Sequence, residues 1–235
     1  MEAVFRDRLE AVRRRMAEAC ARCGRDPASV RLLPVSKPVP PSAIREAAEA
    51  GLTAFGENRV QEAQAKIPLC PGQIQWHLIG HLQSNKVRPV VRLFSAVHSV
   101  DSVDLLDKLN AAAGEAGRRI EVLLQVNIAG EAAKHGMKPG EAPGAVEAAN
   151  AFPNLILTGL MTIPPFDPDP AKSRPHFRKL RELRDSLQER TGTPLPELSM
   201  GMSNDFGEAI AEGATWIRIG SALFGDRKKG AEPWP

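Results

Sequence analysis

The sequence predicts a (β/α)8 barrel that takes up residues 1–235 as one domain. Three observations carry that expectation. Eight short β-like runs recur along the chain, helical patterns separate consecutive runs, and a length of 235 residues suits a fold that routinely occupies roughly 250. Strands that alternate with crossover helices pair in parallel, and eight such units can close on themselves. An open doubly wound sheet is the alternative, but the glycine fingerprint it would need after its first strand is absent.

The opening segment "MEAVFRDRLEAVRRRMAEACARCG" is rich in alanine, arginine and glutamate and reads as a helix placed before the barrel. The β-like runs follow in order: "VRLLPVSK" (30–37), "TAFGEN" (53–58), "QWHLIG" (75–80), "SAVHSVD" (95–101), "IEVLLQVN" (120–127), "LILTGLMT" (155–162), "ELSMGM" (197–202) and "WIRIGS" (216–221). The second and seventh are the weakest, being short and containing glycine. Between runs lie segments of helical spacing. "PSAIREAAEAG" begins with proline and serine and ends with glycine, and "SRPHFRKLRELRDSLQERTG" also stops at glycine, as helix boundaries do.

Composition narrows the function classes. With 43% hydrophobic and 25% charged residues, the chain can bury a core without disulfides or metals. A net charge of +3 from 31 basic and 28 acidic residues is too near balance to indicate nucleic acid, and no basic patch is interleaved with aromatics. The opening segment lacks the apolar core of a secretory signal and holds too many acids for a transit peptide. No stretch approaches the ~18 apolar residues of a membrane span. Three cysteines, an odd count, suit a reducing compartment, so residence in the cytoplasm is expected. Cys20 and Cys23 form a C-x-x-C without a second pair and lie in helical sequence. His77 and His81 have i, i+4 spacing but straddle a strand and a turn. No metal site is expected from either pair.

In a barrel of this kind the chemistry gathers at the carboxyl ends of the strands. The first strand ends in Lys37, the second in Glu57 and Asn58, the fifth in Asn127, the seventh in Ser203 and Asn204, and the eighth in Gly220 and Ser221. Each has an ordinary structural explanation, since Asn and Ser cap helices and Gly turns the chain. Their convergence on one rim points to a site. "SMGMSNDFGEAI" and "RIGSALFG" each close a strand with glycine and serine before a helical segment, which suits a phosphate group. Lys37, an amine on the same rim, could form a Schiff base with a phosphorylated aldehyde. Arg218 either faces the interior, where a buried guanidinium needs an acceptor such as a pyridine nitrogen, or points outward or pairs with a glutamate such as Glu57.

These residues lie in blocks that resemble the pyridoxal phosphate homeostasis family: "LLPVSK", "FGENRVQEAQAK", "WHLIGHLQSNK", "HSVDS", "LQVNIAGEAAKHGM", "GLMTIPP", "LSMGMSNDF" and "IRIGSALFG". The resemblance implies a barrel of the alanine-racemase-like N-terminal domain type. Pyridoxal 5′-phosphate would be the cofactor, with Lys37 as the Schiff-base lysine. It further implies phosphate contacts around Ser203, Gly220 and Ser221, Arg218 at the pyridine nitrogen and Asn58 near the ring. Ser221 departs mildly, threonine also being expected there. The implied role is to hold, buffer or deliver vitamin B6 in the cell without established turnover, so no catalytic residue is assigned. A monomer that hands the cofactor to apo-enzymes is the expectation for partners.

Two other readings stay open from the residues themselves. A racemase of this barrel type needs a second base opposite the lysine. The chain has no tyrosine, only "ALFGDRKKGAEPWP" follows the eighth strand, and Glu57 or His81 would have to substitute. A Schiff-base aldolase would need a general acid or base but no partner for a pyridine ring.

Overall fold

All eight runs form strands in the computed structural model, which describes residues 2–131 and 133–225. After helix α1 (Glu2–Arg22) come β1 (Arg31–Pro34), α2 (Pro41–Glu49), β2 (Ala54–Glu57), α3 (Val60–Lys66), β3 (Gln75–Leu78), α4 (Val87–Leu93) and β4 (Ala96–Val100). The second half holds α5 (Val103–Glu115), β5 (Ile120–Gln125), α6 (Ala142–Ala151), β6 (Leu155–Met161), α7 (Arg174–Thr191), β7 (Glu197–Ser199), α8 (Phe206–Ala211), β8 (Trp216–Ile219) and α9 (Ser221–Phe224). Most strands stop short of the polar ends of their runs, because those residues leave the hydrogen-bonded ladder and turn onto the carboxyl rim. The helix boundaries follow the expected signals: Pro41 opens α2, and Gly192 closes α7 in the left-handed conformation at φ 66°. Of the C-terminal stretch "ALFGDRKKGAEPWP", residues 226–235 lie outside the described residues.

The strands pair in parallel in the order β1-β8-β7-β6-β5-β4-β3-β2. The seam between β1 and β2 has no regular ladder. One parallel bridge, Val35 to Gly56, and a hydrogen bond from Ser36 N to Gly56 O (3.0 Å) close it.

Most apolar burial lies between the strands and the surrounding helices, where Leu, Val, Ile and Phe from both layers form one large cluster. A smaller cluster of Leu33, Ala54, Ile79 and Trp216 is separate from it. Contacts between strands that are not neighbours locate the barrel interior: His77 of β3 meets Trp216 of β8 edge-on (5.0 Å), and His98 of β4 bonds Ser199 of β7 (2.8 Å). The interior is thus partly polar, unlike the branched aliphatic filling usual in such barrels.

The α1 helix buries Phe5, Leu9, Val12, Met16, Ala19 and Cys20 as one stripe at helical spacing. Cys20 is inside and Cys23 exposed, so the C-x-x-C pair does not present both thiols together. The stripe packs over α8 and α9. Phe5 stacks on Phe224 (5.6 Å between centroids), Arg15 lies over the Phe206 ring (4.6 Å), and Arg25 donates to the carbonyls of Ile210 and Ala214 (2.8 Å each). This extra helix therefore braces the elements that follow β7 and β8.

Lys66, at the end of α3, is fully buried with its ammonium at the seam. It donates to Ser36 O (2.8 Å), Glu57 Oε1 (2.8 Å) and Glu62 Oε1 (2.9 Å), which satisfies all three of its protons. The Ser36 hydroxyl also donates to Glu57 Oε1 (2.6 Å). Burial pushes the Glu57 carboxyl upward, and Lys66 and Ser36 oppose that shift. Glu57, whose run ends at the rim, is wholly buried and committed to the seam. Removing one partner of such a pair leaves an uncompensated buried charge. Lys66→Met should cost about 3–5 kcal/mol in urea unfolding, and adding Glu57→Gln to it should restore a substantial part. A loss near zero for Lys66→Met would show that the seam does not depend on the pair.

Candidate functional site

A cavity of about 730 Å3 opens at the carboxyl ends of the strands, and all six residues expected to form a site line it: Lys37, Asn58, Ser203, Arg218, Gly220 and Ser221. They come from the ends of β1, β2, β7 and β8. Lys37 is half-buried, directly follows the Ser36 that the seam holds in place, and has no hydrogen-bond or ion-pair partner among the described residues.

Asn58 follows Glu57, and its Oδ1 is buried without a hydrogen-bond partner. Gly80 makes this placement possible: a Cβ there would sit 2.1 Å from Asn58 O, so no side chain fits. A buried acceptor left unpaired is costly, and this one belongs to a residue that lines the cavity.

Ser203 and Ser221 face each other, their Oγ atoms 3.4 Å apart. Neither serves as an N-cap: α8 is capped at Asp205 and α9 at Gly220. The turn carrying Ser203 depends on Gly201, at φ +90°, where a Cβ would lie 2.5 Å from that of Ala209. As first-turn groups of α9, the Ser221 and Ala222 N–H groups have no intrahelical acceptor. With only four residues in α9, the hydroxyls and N–H groups, more than a helix dipole, make this lip attractive to an anion.

Arg218 points into the barrel, and the pairing with Glu57 left open by the sequence does not occur. Its Nη1 donates to Ser199 Oγ (2.9 Å) and its Nη2 to Thr162 O (2.9 Å), with further N–H groups left to face the cavity. Beyond Ser199 the bonds continue downward: His98 Nδ1 lies 2.8 Å from Ser199 Oγ, and His98 Nε2 lies 2.9 Å from His77 Nδ1. A guanidinium can only donate, so it sets the sense of this relay. Ser199 accepts from Arg218 and gives its own hydrogen to His98 Nδ1; otherwise that buried hydrogen has no acceptor among the described residues. His98 therefore carries its proton on Nε2 and donates it to His77 Nδ1. Burial lowers Arg218 to about 10, which leaves it charged at neutral pH. Burial also lowers His77 to about 4 and His98 well below its ordinary value, so both rings are neutral.

Sequence reasoning missed Ser199, Thr162 and His98 as supports of the site. The available signal was alternation: His77 and His98 each interrupt an apolar strand, which is odd unless the facing strands supply polar partners. Asn127 reaches the rim but is consumed by its own loop, its Nδ2 donating to Glu131 O (2.8 Å) and Lys134 O (3.2 Å). Asn204 lines the cavity while its Nδ2 donates to Asp167 O (3.0 Å). His81 and His77 do not share a face, as expected; His77 is inside, and His81 pairs with Asp101 on the rim (3.3 Å).

The fold and rim define the class: the chain matches the family described as alanine racemase, N-terminal domain, over residues 8–228. It is 46% identical over 226 residues to the pyridoxal phosphate homeostasis protein of Pseudomonas aeruginosa, covering 96% of each chain. The protein of that name from Aquifex aeolicus is 45% identical over 223 residues, which cover 94% of this chain and 98% of the relative. Among solved structures, PipY of Synechococcus elongatus with PLP bound superposes with a TM-score of 0.78 at 42% identity, over 89% of this chain and all (100%) of that one. This chain belongs to the pyridoxal phosphate homeostasis protein family.

The buried imidazoles make stability depend on pH. Unfolded, each takes up a proton as pH falls through about 6.5; folded, His77 does so only near 4 and His98 only well below its ordinary range, both because burial disfavours the charged ring. The unfolded state thus binds more protons in that window, so stability is fully present above 6.5 and falls as pH drops toward 4. Each ring contributes up to about 1.4 kcal/mol per pH unit. Urea unfolding of the wild type should show this loss between pH 6.5 and 5, and a His77→Gln/His98→Gln variant should show a shallower slope. Equal slopes would mean that the rings titrate in the folded protein.

Proposed function

We propose that this protein binds pyridoxal 5′-phosphate at the carboxyl rim, with Lys37, Asn58, Ser203, Arg218, Gly220 and Ser221 as its cofactor-binding residues, and that it holds and releases vitamin B6 without enzymatic turnover. The observation that carries this reading is the free amine of Lys37 facing a lip of two opposed serine hydroxyls, with the Arg218 guanidinium between them and the barrel floor. When bound, pyridoxal phosphate supplies an aldehyde that condenses reversibly with a primary amine. Lys37 is the amine for that bond. Ser203, Ser221 and the N–H groups at the start of α9 hold the phosphate, and Asn58 Oδ1 accepts a hydrogen bond from the ring's edge. Arg218 donates to the pyridine nitrogen. A donor-only partner requires that nitrogen to be unprotonated, which weakens the ring as an electron sink and favours storage over carbanion chemistry.

The rest of the site supports a carrier. Glu57 and His81, the groups that could replace a missing second base, are otherwise engaged: Glu57 is locked under Lys66 and Ser36, and His81 is paired with Asp101. The names of the relatives, and a cofactor-bound PipY, agree with a homeostasis role. We further propose that the chain acts as one binding unit, a cytoplasmic monomer that passes its cofactor to apo-enzymes. Among the described residues no helix is long and apolar enough to cross a membrane.

Borohydride reduction of the holoprotein followed by peptide mapping should place the pyridoxyl label on Lys37. A label elsewhere, with the visible absorption intact in Lys37→Ala, would sink the assignment. Each serine hydroxyl donates to a charged group, worth about 1.5–3 kcal/mol, so Ser203→Ala and Ser221→Ala should each weaken pyridoxal phosphate binding by about tenfold to a hundredfold. Pyridoxal, lacking the phosphate, should bind the double variant about as well as the wild type; equal losses for both ligands would put the phosphate elsewhere. Incubation of the holoprotein with L-alanine in deuterated water should give neither α-deuteration nor D-alanine at enzymatic rates. Turnover abolished by Lys37→Ala would instead establish a racemase.

A further inference from the structure

On the far side of the barrel mouth from Lys37 and the paired serines, three side chains outside the cofactor cavity converge. His81 follows β3, Asp101 follows β4, and His135 sits in the loop after β5; one ligand-capable atom from each lies within 4.8 Å of the other two. His81 Nδ1 is 3.3 Å from Asp101 Oδ2. That is close to the separation, about 3.3–3.5 Å, of two ligand atoms on a tetrahedral ion with bonds of ~2.0–2.1 Å. His135 stacks flat on His81, with centroids 3.9 Å apart and planes 9° from parallel. Each ring offers one in-plane nitrogen lone pair to a ligand when neutral.

An ion pair of His81 with Asp101 accounts for two members of the cluster and leaves the third unexplained. The His135 ring is exposed, and neither of its nitrogens has a hydrogen-bond partner among the described residues. Its backbone, in contrast, is held. Gln125 Nε2 donates to His135 O (3.1 Å), Asn127 Nδ2 donates to Lys134 O (3.2 Å), and Gly136, at φ +121°, presses so close to the segment just after β5 that a Cβ would lie 2.7 Å from Asn127 N. The neighbouring ammonium of Lys134 is engaged by Pro164 O (2.9 Å). The chain fixes the backbone that carries this ring and leaves the ring nitrogens free.

We propose that His81, Asp101 and His135 form a binding site for a divalent transition-metal ion, with zinc the best match. Two imidazoles and one carboxylate suit zinc and similar ions of intermediate softness, while magnesium and calcium call for oxygen ligands. On binding, the ion takes the place of the proton shared between His81 and Asp101. His135 turns out of its stack about its side-chain bonds, because parallel rings cannot both aim their in-plane lone pairs at one ion. Three protein ligands leave a coordination position open toward the mouth.

The test is zinc titration by calorimetry at neutral pH, using untagged holoprotein and its His81→Gln, Asp101→Asn, His135→Gln and Cys23→Ser variants. Cys23 is the control because its exposed thiol is the competing zinc ligand. The expected result is one ion per chain, weakened by about tenfold or more in each of the three ligand variants and unchanged in Cys23→Ser. The visible spectrum of the bound cofactor, retained in every variant, reports that the fold is intact; His135, exposed on its loop, is the substitution that threatens folding least. Stoichiometric binding that His135→Gln leaves unchanged, binding that Cys23→Ser removes, or no binding at micromolar zinc would each overturn the site.

Discussion

The buried ammonium of Lys66 is the constraint on which the site depends. A barrel of eight strands must close somewhere, and here the closing edge between β1 and β2 has one bridge in place of a ladder. Lys66 supplies what the ladder lacks. Its three protons join Ser36 just after β1, Glu57 at the end of β2 and Glu62 on α3, the helix that follows β2. Ser36 and Glu57 are each followed at once by a cavity residue, Lys37 and Asn58. The charge is therefore buried where its bonds orient two groups of the site, and its desolvation is offset by full hydrogen bonding.

A second polar system runs through the barrel from the other side. Arg218 is buried and charged beneath the rim cavity, where unpaired burial is costly, and Ser199 and Thr162 satisfy two of its N–H groups from within. Ser199 in turn needs an acceptor, which His98 provides, and His98 needs His77. Each residue is explained by the one above it. The usual aliphatic filling of the barrel is given up along this line, and the Trp216 ring packs against both histidines to close the space.

The lip that carries Ser203 and Ser221 is braced from outside. The segments after β7 and β8 are short, and α9 has a single turn. Alone they would hold Ser203 and Ser221 loosely. The α1 helix and the turn after it supply the missing rigidity, through Phe5 on Phe224 and through Arg25 on the carbonyls of Ile210 and Ala214. The rim thus sets an amine, two opposed hydroxyls and a fixed guanidinium around one cavity, while Glu57 and His81 are bonded elsewhere.

What the sequence determined by itself was the period of the fold and the identity of the rim. Alternation of β-like and helical runs predicts eight parallel strands, because each pattern is local. Strand ends that carry Lys37, Asn58, Ser203, Gly220 and Ser221 predict a carboxyl-end site, because parallel topology puts all such ends together. Tertiary structure alone decided what each polar residue does there. Glu57 and Asn127 sit at strand ends as Lys37 does, yet one is buried in the seam and the other is spent on its loop. The direction of Arg218 was undecidable from alternation, which places it with Trp216 on one face without saying which face is inside. His98 and Ser199 lie on two different strands and Thr162 just past a third, and His81, Asp101 and His135 on three consecutive rim loops. The physical reason is the same throughout: backbone pattern depends on neighbours in sequence, whereas the partner of a buried polar group is chosen by neighbours in space.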